Sequence, residues 1–125
     1  MPSGGARSSP PPDGSMSRDA VTVDDILAAA SRIGRFVAGI DREGFVKDEK
    51  TRSAVLHEFL VIGEACKRLS EAFRAANPEI PWRAMSGMRD KLIHAYDAVD
   101  LEEVWRTATV DVPSIAAKLR SRTRT

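Results

Sequence analysis

The sequence predicts an all-α protein, an antiparallel bundle of four to five helices. Large apolar residues recur at intervals of three and four along three stretches, at 26–40, 55–73 and 101–119, which is the spacing of amphipathic helices. The strict alternation of apolar and polar residues that marks strands is almost absent, and aromatic residues make up only 6% of the chain. Because the segments between the stretches are short, neighbouring helices are expected to run antiparallel.

Capping and breaking residues delimit the first two helices. Thr22 is the expected N-cap of the first helix, which is predicted to end within residues 41–44. The second helix is expected over residues 48–76, with a bend at Gly63. Asn77-Pro78 ends it, since asparagine suits a helix end and proline cannot continue a helix.

The second half of the chain carries more helix breakers. A short helical turn is expected over residues 81–86, with Gly87 loosening the backbone before a third main helix at 88–97. Asp100 is the expected N-cap of a fourth helix. Pro113 lies inside the apolar pattern of that helix and predicts a kink or a split.

One domain is expected between two flanking segments. Residues 1–18 consist mainly of Pro, Gly, Ser and Arg, and this segment is predicted to be disordered because it buries too little apolar surface to offset its ordering entropy. The helical domain is placed at residues 19–120, and residues 121–125 are interpreted as a basic, solvated tail.

Composition restricts the classes of function. The formal net charge of +1 argues against indiscriminate tight binding of nucleic acid. The single cysteine, Cys66, allows no disulfide within the chain and is expected to be a small core residue. Neither a membrane-spanning run nor a signal peptide is recognised, so a cytoplasmic protein is expected. No cofactor or metal is predicted, because the two histidines, His57 and His94, lie a whole helix apart.

The stretch at residues 88–96 combines side chains that could cleave RNA. His94 is suited to move protons near neutral pH, and the guanidinium of Arg89 is suited to bind a phosphate. The histidine would take the proton of a ribose 2′-hydroxyl, whose oxygen attacks the adjacent phosphate while the arginine stabilises the developing charge. The products would be a 2′,3′-cyclic phosphate and a 5′-hydroxyl, and the reaction needs no metal.

Helical geometry relates these residues to their neighbours. Arg89 and His94 are five positions apart, so on one helix they lie about 140° apart and about 7.5 Å along the axis. Asp90 and His94 are four positions apart and share a face, so the carboxylate is expected to orient the imidazole. Tyr96 is expected near the helix end, with its hydroxyl exposed.

Simpler interpretations of these residues remain open. An arginine, a histidine and a carboxylate on one surface helix commonly form a solvated ion-pair network. Glu64 is either a surface acid or a partner for Arg89 across the bundle. His57 is interpreted as a packing residue at the edge of the apolar stripe, and Trp82 and Trp105 as core or interface anchors in preference to base-stacking residues.

Short pieces in residues 61–105 match, in order, a known family, and together they are more specific than the spacing of Arg89 and His94 alone. They are Ile62-Gly63-Glu64-Ala65 with Lys67-Arg68-Leu69-Ser70, Asn77-Pro78-Glu79-Ile80-Pro81-Trp82, Gly87-Met88-Arg89, His94-Ala95-Tyr96, and Val99-Asp100-Leu101 with Val104-Trp105. In these pieces the chain resembles the HepT-like proteins of the HEPN superfamily.

The resemblance implies a homodimeric helical bundle in which two copies of the motif line one cleft. It further implies a metal-independent endoribonuclease, the toxin of a type VII toxin–antitoxin pair, with Arg89 and His94 as catalytic residues. The antitoxin partner would be an MntA-like nucleotidyltransferase that attaches AMP to the motif tyrosine, here Tyr96. The substrate would be RNA, with a shaped molecule such as tRNA favoured by the balanced charge. Asp90 and Ala95 depart from the family pattern, which often has Asn at the first position and Gly or another small or polar residue at the second.

A non-catalytic binding subunit is the competing hypothesis. In that case the same arginine and histidine would bind a nucleotide phosphate or the nucleotidyltransferase. Expression of the chain alone separates the two hypotheses, because only a ribonuclease predicts toxicity that depends on His94.

Overall fold

The computed structural model describes the backbone of residues 15–123, which is helical throughout apart from short turns, and the side chains of residues 18–122. The helices of the first half are α1 (Ser15–Val37), α2 (Arg42–Lys47), α3 (Glu49–Arg68), α4 (Glu71–Ala76) and α5 (Trp82–His94). A 3₁₀ turn (Tyr96–Ala98) leads to α6 (Leu101–Arg106), which a π-helical turn (Thr107–Asp111) joins to α7 (Val112–Thr123). The prediction of an all-α fold is confirmed for the described residues.

Four long helices form the bundle around one apolar core. The central helix, α3, packs against α1 on one side and α5 on the other, and α7 packs against α1. The α1–α3 pair is antiparallel, since the start of α1 contacts the end of α3. Burial of apolar side chains drives this packing. The largest fully buried side chains are Phe45, Ile26, Ile33, Ile80, Leu119, Val23, Val55, Val104 and Cys66.

The first helix begins seven residues earlier than predicted, at Ser15. Thr22 is therefore an interior helical residue, buried to 5% exposure, and is not an N-cap. The carboxylate of Asp19 is also buried and accepts hydrogen bonds from the backbone N–H of Ser70 (2.9 Å) and from its hydroxyl (2.6 Å). This long-range anchor stabilises the additional turns of α1.

Both chain ends differ from the expected domain limits. The predicted boundary between residues 18 and 19 falls inside α1, while the prediction of disorder for residues 1–14 concerns residues outside the described part. At the other end α7 continues to Thr123. The guanidinium of Arg122 donates to the side chain of Asn77 and the carbonyl of Ala76, which attaches the end of α7 to the bundle.

The first helix ends at Val37, before the predicted segment 41–44, and that segment begins a new helix instead. Asp41 caps α2 by accepting from the backbone N–H of Gly44 at 2.8 Å. The predicted helix over residues 48–76 is interrupted at Leu69 and Ser70, where Ser70 caps α4 by accepting from the N–H of Phe73 at 3.1 Å. The expected stop at Asn77-Pro78 is confirmed.

The predicted break at Gly87 does not occur. Helix α5 runs without interruption from Trp82 to His94. A glycine inside a helix costs only about 1 kcal/mol, which helix packing readily offsets. Pro81 occupies the N-cap position, just before the first helical residue. The indole N–H of Trp82 donates to the carbonyl of Asn77 at 3.0 Å, so this tryptophan anchors the helix start.

The fourth long helix consists of α6, the π-helical turn and α7, and the irregularity predicted at Pro113 takes the form of that π-helical turn. Asp100 caps α6 as predicted, accepting from the N–H of Glu102 at 3.0 Å. Pro113 lacks a backbone N–H, and the turn before it widens into the π-helical segment, so the helical path continues into α7. Trp105 packs its ring 5.3 Å from that of Phe45, as expected of a core anchor. No helix within residues 15–123 is long and apolar enough to cross a membrane.

Candidate functional site

The site begins where α3 and α5 approach most closely. A Cβ atom at Gly63 would lie 2.3 Å from the Cβ of Arg89 and 3.1 Å from the carbonyl oxygen of Met85. The absence of a side chain at Gly63 therefore permits the two helices to approach this closely. The approach places the guanidinium of Arg89 beside α3.

A carboxylate of α3 binds that guanidinium directly. Oε1 of Glu64, the residue after the glycine, lies 2.9 Å from Nε of Arg89. Both interpretations left open by the sequence therefore hold, since Glu64 is an exposed acid and also pairs with Arg89 across the bundle.

Asp90 has different partners from the one expected. Its Oδ1 accepts from Nζ of Lys67 at 2.9 Å and from Nη1 of Arg89 at 3.1 Å. These hydrogen bonds, that of Lys67 first, lower the pKa of the Asp90 carboxyl from its usual value. No hydrogen bond among the described residues joins Asp90 to His94, and the carboxylate contacts two cations instead.

Lys67 is the site residue that sequence reasoning missed. It follows Glu64 by three positions on the same helix, so both side chains point towards α5. That spacing was visible in the sequence, but the pairing of α3 with α5 was not.

His94 and Tyr96 are both open to solvent at the end of α5. His94 is the last residue of the helix and is exposed, and Tyr96 in the following 3₁₀ turn is 45% exposed. The expected exposure of the tyrosine is confirmed, although it lies outside the helix. No hydrogen bond of the described residues joins His94 to Arg89, in agreement with their angular separation on the helix.

An open groove runs beside this cluster, on the outer side of α3 and α5. It has a volume of about 360 Å³. Both charged and apolar side chains line it, and one of the apolar ones, Ile93, is 52% exposed. The lining residues are Leu60, Val61, Glu64, Arg68, Arg89 and Ile93.

The remaining candidates lie apart from the cluster. His57 is exposed on α3, so the packing role predicted for it is wrong. Cys66 is buried, as predicted, and burial raises the pKa of its thiol to about 12, which keeps it protonated. Within residues 15–123 no group of three or more His, Cys, Asp and Glu side chains is arranged to hold a metal ion.

Two further features have no counterpart in the sequence predictions. The buried carboxylate of Glu58 pairs with Arg32 at 2.9 Å and links α3 to α1, and this hydrogen bond raises the pKa of the guanidinium. A second, apolar groove of about 220 Å³ separates α5 from α7, with Met85, Met88 and Ile115 among its lining residues. Neither feature includes His94.

A helical bundle that presents an arginine held by carboxylates, near an exposed histidine and tyrosine, has the groups needed to bind a phosphate and move a proton. The sequence model of one protein family, described as Ribonuclease HepT-like, matches residues 26–122. The chain therefore belongs to the HepT-like ribonuclease family, as the resemblance of the short motifs indicated.

Individual relatives agree with the family match. The chain is 45% identical over 96 residues to the "Probable ribonuclease HepT" of Thermococcus cleftensis, which covers 77% of this chain and 87% of the relative. It is 41% identical over 91 residues to the "Putative RNase MJ0125" of Methanocaldococcus jannaschii, covering 73% and 78%. None of the solved structures matches the chain at a significant level.

Proposed function

We propose that this protein is a metal-independent endoribonuclease with Arg89 and His94 as its catalytic residues. The observation that supports this most directly is the oriented guanidinium of Arg89, which lies beside an open groove and on the same helix as the exposed His94. The names of the relatives, which are ribonucleases, agree with this reaction class.

In the proposed reaction His94 accepts the proton of a ribose 2′-hydroxyl. The 2′-oxygen forms a bond to the neighbouring phosphorus, and the bond from phosphorus to the 5′-oxygen breaks. The leaving 5′-oxygen takes up a proton from water and His94 returns its proton to water, which gives a 2′,3′-cyclic phosphate and a 5′-hydroxyl. Arg89 stabilises the negative charge on the phosphate oxygens through N–H donors that its contacts with Glu64 and Asp90 leave unused.

The proposed active form is a homodimer. Arg89 and His94 project about 140° apart on α5, so they do not face a single point on one chain. A second copy would bring another arginine and histidine to the same cleft. The apolar side chains of Leu60, Val61 and Ile93 along the groove supply a surface suited to such an association.

We further propose that the protein is the toxin of a type VII toxin–antitoxin pair. Its partner is an MntA-like nucleotidyltransferase, which inactivates it by transferring AMP to Tyr96. The phenol of Tyr96 is exposed, as a substrate of another enzyme must be, and it follows His94 by two residues. An attached AMP adds bulk and negative charge beside the catalytic residues, which would exclude RNA.

The test is cleavage of total cellular RNA by the purified, unmodified protein in the presence of EDTA. Wild type is expected to give 2′,3′-cyclic phosphate ends, and His94→Ala is expected to lose activity by a factor of about 100 or more. The matched control is His57→Ala, which removes the only other histidine of the chain from an exposed position on α3.

Two results would contradict the proposal. One is full activity of His94→Ala, and the other is absence of cleavage by wild type whose intact mass shows an unmodified Tyr96. The second result would favour the non-catalytic binding subunit. Expression of the chain without its antitoxin gives an independent readout, since toxicity should require His94 and should persist in His57→Ala.

A further inference from the structure

Four charged side chains of alternating sign connect α3 to α5. Glu64 and Lys67 come from α3, and Arg89 and Asp90 come from α5. The order in space is Glu64, Arg89, Asp90, Lys67, with successive contacts of 2.9, 3.1 and 2.9 Å. Lys67 thereby becomes a neighbour of the arginine that the proposed function assigns to the phosphate.

The shared carboxylate oxygen fixes the distance between the two cations. Nζ of Lys67 and Nη1 of Arg89 both contact Oδ1 of Asp90, at 2.9 and 3.1 Å. Their separation therefore cannot exceed about 6 Å, whatever the angle at the oxygen. One anionic oxygen already accepts from both cations, so an oxygen of a phosphate can do the same.

We propose that Lys67 is a second phosphate-binding residue of the ribonuclease site and contacts the RNA backbone together with Arg89. This inference rests on the proposed function of Arg89. The lysine is 39% exposed, and its ammonium has three N–H donors, of which Asp90 Oδ1 takes one. The remaining donors are available to a phosphodiester, while Asp90 keeps the two cations together.

The competing interpretation is an ion pair that only links α3 to α5. Such an exposed pair adds little to stability, so its loss should leave both cleavage and its salt dependence unchanged. A phosphate contact behaves differently, because it releases counterions from the nucleic acid and therefore contributes to the salt dependence of binding. Salt dependence thus separates the two interpretations.

The experiment measures cleavage of total tRNA in EDTA at several salt concentrations by wild type, Lys67→Gln and Lys67→Arg. For Lys67→Gln we expect KM to rise roughly threefold to tenfold and kcat to change much less. The slope of log(kcat/KM) against log[salt] should become shallower by about 0.7 to 0.9. Lys67→Arg retains the charge and should restore most of the slope.

The matched control is Lys50→Gln, which removes the same charge from the same helix. Lys50 is exposed and lies 17 positions away, about 25 Å along the axis of α3. Its variant should match wild type in KM and in salt slope. Thermal unfolding of all variants checks that each is folded.

The outcomes distinguish this inference from the proposed function. If wild type cleaves RNA and Lys67→Gln has the wild-type KM and salt slope, the inference is wrong and the proposed function stands. A raised KM with an unchanged slope also overturns it, since that result indicates a positional effect without a phosphate contact. If wild type cleaves no RNA, the proposed function is wrong and this inference falls with it.

Discussion

Arg89 is held by two carboxylates through different nitrogen atoms. Glu64 contacts Nε and Asp90 contacts Nη1, at 2.9 and 3.1 Å. Two contacts on different edges of the planar guanidinium restrict its rotation. Exposed ion pairs contribute only about 0 to 1 kcal/mol each to stability, so orientation of the arginine is the main consequence of this arrangement. Such preorganisation is what a phosphate-binding group needs.

At this scale the pH dependence of Asp90 is a testable property. Its hydrogen bonds with Lys67 and Arg89 lower the pKa of the Asp90 carboxyl in the folded protein below the usual value of 3.8, so folding favours the ionised carboxylate. The resulting stabilisation is fully present above the unfolded pKa and is lost as the pH falls through the lower, folded pKa. We expect the difference in thermal midpoint between wild type and Asp90→Asn to be constant above about pH 5 and to shrink below about pH 4.

Thermal unfolding followed by circular dichroism across this range measures the effect. The same titration with Asp97→Asn, an exposed aspartate in the 3₁₀ turn, serves as the comparison. A difference between wild type and Asp90→Asn that grows towards low pH would contradict the assignment of the ion pairs.

Among the helices, the crossing of α3 and α5 positions the site. Gly63 lets the two helices approach until its Cα faces the Cβ of Arg89, and it thereby brings Glu64 and Lys67 within reach of α5. Any side chain at this position must push α5 away. The geometry of the site therefore depends on the absence of a Cβ atom at residue 63.

Gly63→Ala should destabilise the protein and reduce cleavage. The new Cβ would lie 2.3 Å from the Cβ of Arg89, which is the fixed root of that side chain, so α5 itself must shift. Overpacking of this kind costs about 1 to 3 kcal/mol, and chemical denaturation measures it.

The control for this variant is Gly34→Ala in α1. Apart from its chain neighbours and the nearby backbone of α1, no atom of the described residues lies within 4 Å of a Cβ built at Gly34, so alanine there should stabilise the helix by about 0.5 to 1 kcal/mol. Opposite signs for the two glycines are expected. Destabilisation of similar size in both would show that close contact is not the reason for Gly63.

For the whole molecule, the exposed apolar side chains of the groove bear on the proposed dimer. Ile93 is 52% exposed and lines the groove with Leu60, Val61 and Arg89, the proposed catalytic arginine. If the proposed dimer forms through this groove, Ile93→Glu is expected to give a monomer that retains its helical fold and loses cleavage in parallel. Sedimentation velocity measures the state of association, and circular dichroism measures the fold.

Val110→Glu provides the matched control. Val110 is 57% exposed on the π-helical turn, which packs on α1 and adjoins α6 and α7 and does not line the groove. This variant should associate and cleave like wild type. If both variants dissociate, or if Ile93→Glu remains a dimer, the groove is not the dimer interface.

Much of the local structure could be predicted from the sequence. The apolar periodicity gave the all-α fold, Asp100 was recognised as an N-cap, and Asn77-Pro78 as a helix end. Each of these signals operates within one or two helical turns, so the nearby residues are sufficient to determine it. The motif of Arg89 and His94, together with the ordered pieces around it, was likewise enough to indicate the family.

The tertiary structure decided which residues of different helices meet. It extended α1 to Ser15 because Asp19 binds Ser70, which lies 51 positions away. It directed Asp90 to Lys67 and Arg89, although local spacing alone favoured His94. Such partners depend on the register in which two helices pack, and that register is set by burial of the whole core, which no short stretch of sequence specifies.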